Sequence, residues 1–292
     1  MKKLLLLILS SFILLTANAQ YAVYDMVLYY PVENTVHEDT IIDISRFGTN
    51  GELHNVSLTS DRFGNANSAL YFNGENSYIS MECPYFSQPE YCYSVWARID
   101  SKPAYGECDV LLSIGTDYGV DHFLMNTNHY SLNNHLGLLG GGYHADYTHA
   151  VVRTQEEAPI GEWMHITYVR NSEVLKLFVN GVLQAESNYN VQEPYFGNDF
   201  VGNVGRRVNG TQYFHGALDD IRIYEKMLSD DEIMVAYHQT EIPTPFVDAG
   251  YDQIVDGTEL NIQLHGNAKL YKTLSWKTEG DGEFIDSNLE DP

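Results

Sequence analysis

Residues 216–233 change their hydrophobic period halfway along, and that change limits what the chain can fold into. The first half alternates with period two. Ala217, Asp219, Ile221 and Ile223 fall on one face, and Leu218, Asp220, Arg222 and Tyr224 on the other. Ser229 followed by Glu232 is then a capping box, which predicts a helix carrying Ile233, Met234 and Tyr237. This alternation puts the carboxylate of Asp219 beside two isoleucines. If that face is buried, Asp219 needs donors or a cation, because an unpaired buried charge is costly.

Upstream, the same period-two signal recurs in short runs. Strands are predicted at 26–31, 91–99, 109–114, 122–125, 149–153, 200–204 and 213–224, and two more at 68–72 and 77–81 across the turn 73–76. The strongest hairpin is 164–170 with 174–179, and Asn180-Gly181 turns the chain again into 182–185. Residues 137–143 are glycine-rich and read as a flexible connection. Twenty-two Tyr and twelve Phe favour strands over helices. Many short strands with one terminal helix argue for an all-β, two-sheet antiparallel sandwich.

The first residues are not part of that fold. Met1, Lys2 and Lys3 form a basic start, residues 4–15 are apolar, and Ala17-Asn18-Ala19 is a small-residue cleavage site. Residues 1–19 are read as a signal peptide cut after Ala19, so the mature protein is expected outside the cell or on its surface. The apolar run is too short to span a bilayer and no second one follows, so no membrane insertion is expected. The formal net charge is −24 and includes Lys2 and Lys3, so loss of the leader leaves −24 − 2 = −26. Such a surface repels nucleic acid and anionic lipid. Of three cysteines, Cys83 and Cys92 close a short loop over Pro84 and Pro89 and are the preferred disulfide; three reduced thiols are the alternative.

Three stretches carry a family resemblance. Residues 216–233 resemble the closing strand and helix of laminin G-like domains, which are jelly rolls of the concanavalin A-like class. Residues 63–74 resemble the family's early segment, and 163–168 through 177–181 its central hairpin. The resemblance implies a jelly roll over residues 20–240. Residues 241–246, with Pro243 and Pro245, read as a linker. Residues 247–292, with Val247, Asp248, Ala249, Gly250, Trp276 and Gly280-Asp281-Gly282, resemble the start of a polycystic-kidney-disease-like domain, an immunoglobulin-like β-sandwich. A sandwich of that kind needs about 100 residues, so this one is read as incomplete and the chain as a segment of a longer protein.

Catalysis finds little support in the residues. A glycosidase needs two carboxylates on one strand face, and the only close strand pair, Asp219 and Asp220, alternates across two faces. No serine elbow, zinc motif or phosphate loop is present. The chain is therefore expected not to be an enzyme. The resemblance implies a structural calcium with Asp219 as one ligand and Asp43 as a second; the alternative is that Asp219 accepts backbone N–H groups or pairs with an arginine. Residues 118–149 are rich in rings and polar groups, among them Tyr118, Asp121, His122, Tyr130, His144 and Tyr147. Aromatic faces with Asp and His suit a sugar. Strand faces and polar turns explain the same composition. The function expected is a secreted, non-catalytic recognition or adhesion module for a glycan or a cell-surface protein. The alternative is an accessory domain of a larger exported enzyme, a polysaccharide hydrolase or peptidase.

Overall fold

The computed structural model describes residues 26–45, 47–82, 90–116, 121–129, 135–143, 149–189, 191, 200–240, 246–248 and 267–269. In chain order the strands are β1 (Met26–Tyr30), β2 (Val36–His37), β3 (Thr40–Ile41), β4 (Gly51–His54), β5 (Ser57–Thr59), β6 (Ala69–Asn73), β7 (Tyr78–Glu82) and β8 (Tyr91–Ile99). There follow β9 (Cys108–Gly115), β10 (Asp121–His129), β11 (His135–Tyr143), β12 (His149–Arg153), β13 (Trp163–Arg170), β14 (Leu175–Val179), β15 (Val182–Ser187), β16 (Val201–Val204) and β17 (His215–Tyr224). The helix α1 (Asp230–His238) comes next, then the short pair β18 (Phe246–Asp248) and β19 (Asn267–Lys269).

Two antiparallel sheets face each other. Sheet A runs β15-β14-β13-β8-β17-β6-β5, with β1 on the second half of β17. Sheet B runs β12-β11-β10-β9-β16-β7-β4-β3-β2. The main core lies between them. Tyr91, Tyr93, Val95, Ala97 and Ile99 of β8 point into it and meet Ile79, Leu112, Ile114 and Leu124 of sheet B. The alternate residues of β8, such as Cys92, face the other way. There α1 packs through Ile233 onto Tyr29, Cys92, Val169, Phe178 and Tyr224. The capping box that starts α1 forms as expected, with Ser229 and Glu232 bonding each other's backbone. The all-β two-sheet sandwich with one short terminal helix is thus the fold. Residues 1–25 lie outside the described residues. So does most of 247–292, and the expected leader and second sandwich fall on these residues.

Several local expectations change. The turn at 73–76 does not make a hairpin: β6 belongs to sheet A and β7 to sheet B, so it arches between sheets. Asn73 Oδ1 accepts the N–H groups of Glu75, Asn76 and Ser77, which fixes the arch. Residues 137–143 are not a flexible connection but most of β11, paired on both sides. Its glycines make room for rings. A Cβ on Gly140 would lie 2.4 Å from Cδ2 of Tyr168, and one on Gly142 2.5 Å from Nδ1 of His122.

The largest change is in β17. Asp219 pairs with Trp96 but Arg222 with Ser94, so one extra residue is inserted between them. Asp220 takes up the bulge at φ +50. The alternation therefore flips: Leu218 joins Ile221 and Ile223 in the main core, while Asp219 leaves that face, and Asp220 meets Tyr29 of the cluster beneath α1. Asp220 is 7% exposed, so both acids of the bulge are buried.

Two predictions follow from this packing. Gly140→Val should cost about 1–3 kcal/mol through the clash with Tyr168, read as a lower denaturant midpoint with an unchanged slope. Asp109, half-buried on β9, has its carboxyl pushed up to about 7 by burial and then by Glu107. Its folded pKa exceeds its unfolded one, so its share of stability is full in acid and fades as pH rises through 7. Asp109→Asn should raise the melting temperature at pH 8 by about 3 °C and leave it unchanged near pH 4.

Candidate functional site

Two side-chain assemblies stand out, one on each sheet's outer face. The first surrounds the bulge of β17. Arg62 Nη1 donates to Asp219 Oδ2 at 2.8 Å, and Nη2 to Asp220 Oδ2 at 3.0 Å. Asp219 Oδ1 accepts the backbone N–H of Asp220 at 2.7 Å. Asp220 Oδ1 accepts the Tyr29 hydroxyl at 2.6 Å and lies 2.9 Å from Arg222 Nη2. Burial and the Asp220 charge push the Asp219 carboxyl up, against the pull of Arg62. The two arginines also reach the end of α1, where carbonyls lack helical partners. Arg62 donates to Gln239 O and Arg222 to Ala236 O. The Arg62 guanidinium lies 4.5 Å from the centroids of both Phe63 and Trp96, and Trp96 stacks on Tyr237. Asp61 shapes the turn that presents Arg62, accepting the N–H groups of Phe63 and Asn65 on Oδ1.

The second assembly lies on sheet B, on the face turned from the core. Ile79 and Met81 of β7 point inward, so Tyr78, Ser80 and Glu82 point outward, beside Glu52 and His54 of β4. The rings of His54 and Tyr78 stack at 4.1 Å and 13°. Arg206 lies 3.3 Å from the Tyr78 centroid, and Tyr213 is tilted against Tyr78 at 6.4 Å. His54 Nε2 is 2.8 Å from Ser80 Oγ and 3.7 Å from Glu52 Oε2. Both contacts use the same nitrogen, so the imidazole cannot relay a proton from serine to carboxylate as a hydrolase triad does. Half-buried rings beside hydroxyl, carboxylate and guanidinium groups suit binding of a polar, uncharged surface with C–H faces.

The residues singled out from sequence are scattered by the fold. His122 is in the core, fully buried, with Nδ1 2.9 Å from the Tyr91 hydroxyl, so it is no surface ligand contact. Tyr118, Tyr130, His144 and Tyr147 lie outside the described residues, and Asp121 opens β10 by its backbone. Cys83 also lies outside them. Cys92 is a free, fully buried thiol beneath α1, which corrects the expected Cys83–Cys92 disulfide: the side chain is packed in an apolar layer. Asp43 is fully buried and accepts four donors: the N–H groups of Tyr29, Ser45 and Thr49 and the Ser45 hydroxyl. Among the described residues, no group of three or more His, Cys, Asp or Glu stands close enough to hold a metal ion. Arg62 was missed in sequence. The one signal was scarcity: with 16 basic against 40 acidic residues, two adjacent acids in a strand have few partners to draw on. His54 comes from β4, Tyr78 from β7, and Arg206 and Tyr213 from the connection between β16 and β17, and together they carry no motif.

The concanavalin A-like lectin/glucanases superfamily, in its laminin G form, matches residues 72–234. No curated protein matches. Among solved structures, the fold is similar to the binding domain of Paraclostridial Mosquitocidal Protein 1, with TM-score 0.57 and 18% identity over 73% of this chain and 52% of that one. It is similar to the receptor binding domain of botulinum neurotoxin C/D mosaic serotype, with TM-score 0.57 and 11% identity over 73% and 51%. It is also similar to Domain 4 of AbnA, a GH43 extracellular arabinanase from Geobacillus stearothermophilus, in complex with arabinotriose; there the TM-score is 0.54 and the identity 18%, over 74% of this chain and 99% of that one. The chain thus spans about half of each toxin binding domain and nearly all of the arabinanase domain. At such identities these likenesses speak for the fold. The matched residues 72–234 make up more than half of the chain, which therefore belongs to the concanavalin A-like lectin/glucanases superfamily.

Proposed function

We propose that this chain is a secreted recognition module that binds a glycan, or the sugar of a cell-surface partner, through the outer face of sheet B. The observation that carries this reading is the patch of His54, Tyr78, Ser80, Arg206 and Tyr213: rings and hydrogen-bonding groups gathered on a strand face. Sugars are held by that combination, C–H faces on rings and hydroxyls on polar groups. Similar folds include a domain solved with arabinotriose and toxin domains named for binding. The ring-rich residues Tyr118, Tyr130, His144 and Tyr147 offer the same chemistry in sequence and, together with Asp121, are proposed as further ligand contacts. The chain itself is taken to perform no catalysis.

The second reading is an accessory domain of a larger exported enzyme, favoured by the whole-domain similarity to Domain 4 of an arabinanase. It needs the same patch but places the substrate's chemistry elsewhere in a longer protein. The leader (1–19), the linker (241–246) and the polycystic-kidney-disease-like stretch (247–292) belong to both readings, as export signal and as start of a spacer.

A glycan array probed with the full mature chain is the test. Binding to one polysaccharide class is expected, and Tyr78→Ala should weaken it at least about tenfold, by removing the ring between His54 and Arg206. Binding that Tyr78→Ala leaves unchanged would move the site off this patch. No binding to any glycan by a folded chain would turn the reading towards a purely architectural role.

A further inference from the structure

The family resemblance implies a calcium ion joining the early acidic loop to the closing strand through Asp43 and Asp219. The residues present do not fit that ion. All four oxygens of Asp219 and Asp220 are taken: by Arg62, by the Asp220 N–H, by Arg62 again, and by Tyr29 with Arg222. Both oxygens of Asp43 carry two donors each. Every one of these partners is a donor, and a hard cation competes with donors for the same lone pairs. Charge argues the same way. Arg62 and Arg222 already place two positive charges against the two carboxylates, so a dication there would face two guanidinium groups in a dry site.

We infer that Arg62 is a built-in cation that closes this jelly roll, and that the Asp219–Asp220 seat is shut to divalent metal. The geometry supplies the joining that an ion would provide. Tyr29 links the two ends, its backbone N–H bonding Asp43 and its hydroxyl bonding Asp220. Arg62 ties its own turn to β17 and to the end of α1. The Arg62 side chain is only 8% exposed and lies between the rings of Phe63 and Trp96. An incoming ion would have to strip both ring contacts and strand a guanidinium with no carboxylate.

Thermal melts of the full mature chain in excess EDTA and in excess calcium test this. The wild-type melting temperature should agree between the two within about 1 °C. Arg62→Ala should melt about 10 °C lower in EDTA, and Arg62→Lys should fall between the two, because an ammonium serves one carboxylate where the guanidinium fork serves both. A calcium-dependent rise of several degrees in wild type that Asp219→Asn abolishes would overturn the inference. A rise that Asp219→Asn keeps would place calcium on other carboxylates and support a closed seat. If Asp219→Asn does not fold, Asp220→Asn serves as the same control. Arg62→Ala melting at the wild-type temperature would also overturn it, since the fold would then close without the guanidinium.

Discussion

One guanidinium holds together what the chain order keeps far apart. Arg62 meets Asp219 and Asp220 across more than 150 residues of sequence, and between them run all the strands from β6 to β16. A pair of buried carboxylates on a closing strand is unfavourable unless both are compensated, and breaking such a pair from one side costs about 3–5 kcal/mol. The compensation here is geometric as well as electrostatic. Arginine's planar fork matches two carboxylates side by side, which a bulge at Asp220 has turned to the same side of the strand. Without the bulge, strict alternation would put the two acids on opposite faces and one fork could not serve both. Backbone geometry and side-chain chemistry at this point therefore depend on each other.

The same cluster explains why so short a helix persists. α1 has nine residues, below the length at which an isolated helix is stable in water. Its start is held locally by Ser229 and Glu232. Its end is held from a distance, by Arg62 and Arg222 on the carbonyls of Gln239 and Ala236. Its middle is held by Ile233 in the apolar layer over sheet A. Glycan recognition on sheet B would thus sit on the sheet opposite the one that closes the fold, and the two could vary independently.

What the sequence made legible was local. The capping box, the Asn180-Gly181 turn and the alternation of β8 all rest on neighbours a few residues away, and all appear in the structure as read. What it hid depended on register between distant strands. The bulge in β17 exists only relative to β8. The glycines of β11 looked like slack because the reason for them, the rings of Tyr168 and His122, lies on other strands. The arch at Asn73 used the same turn residues as a hairpin, and only sheet membership distinguishes the two. The disulfide failed for a similar reason: spacing suggested a loop closure, whereas Cys92 belongs to a face that α1 covers. The candidate binding patch was the least legible part, since three separate segments each supply one or two ordinary residues to it.

The two free thiols among the described residues, Cys92 and Cys108, have a use as internal witnesses. Cys92 is sealed beneath α1 against sheet A, and Cys108 lies in a separate apolar cluster on the outer face of sheet B, beside Thr127. Burial raises both thiols, Cys92 the more strongly, so neither is a ready nucleophile in the folded state. An alkylating reagent reaches each only when its own layer opens. The order in which the two are labelled therefore records which side of the sandwich loosens first, the side locked by Arg62 or the side proposed to meet a ligand.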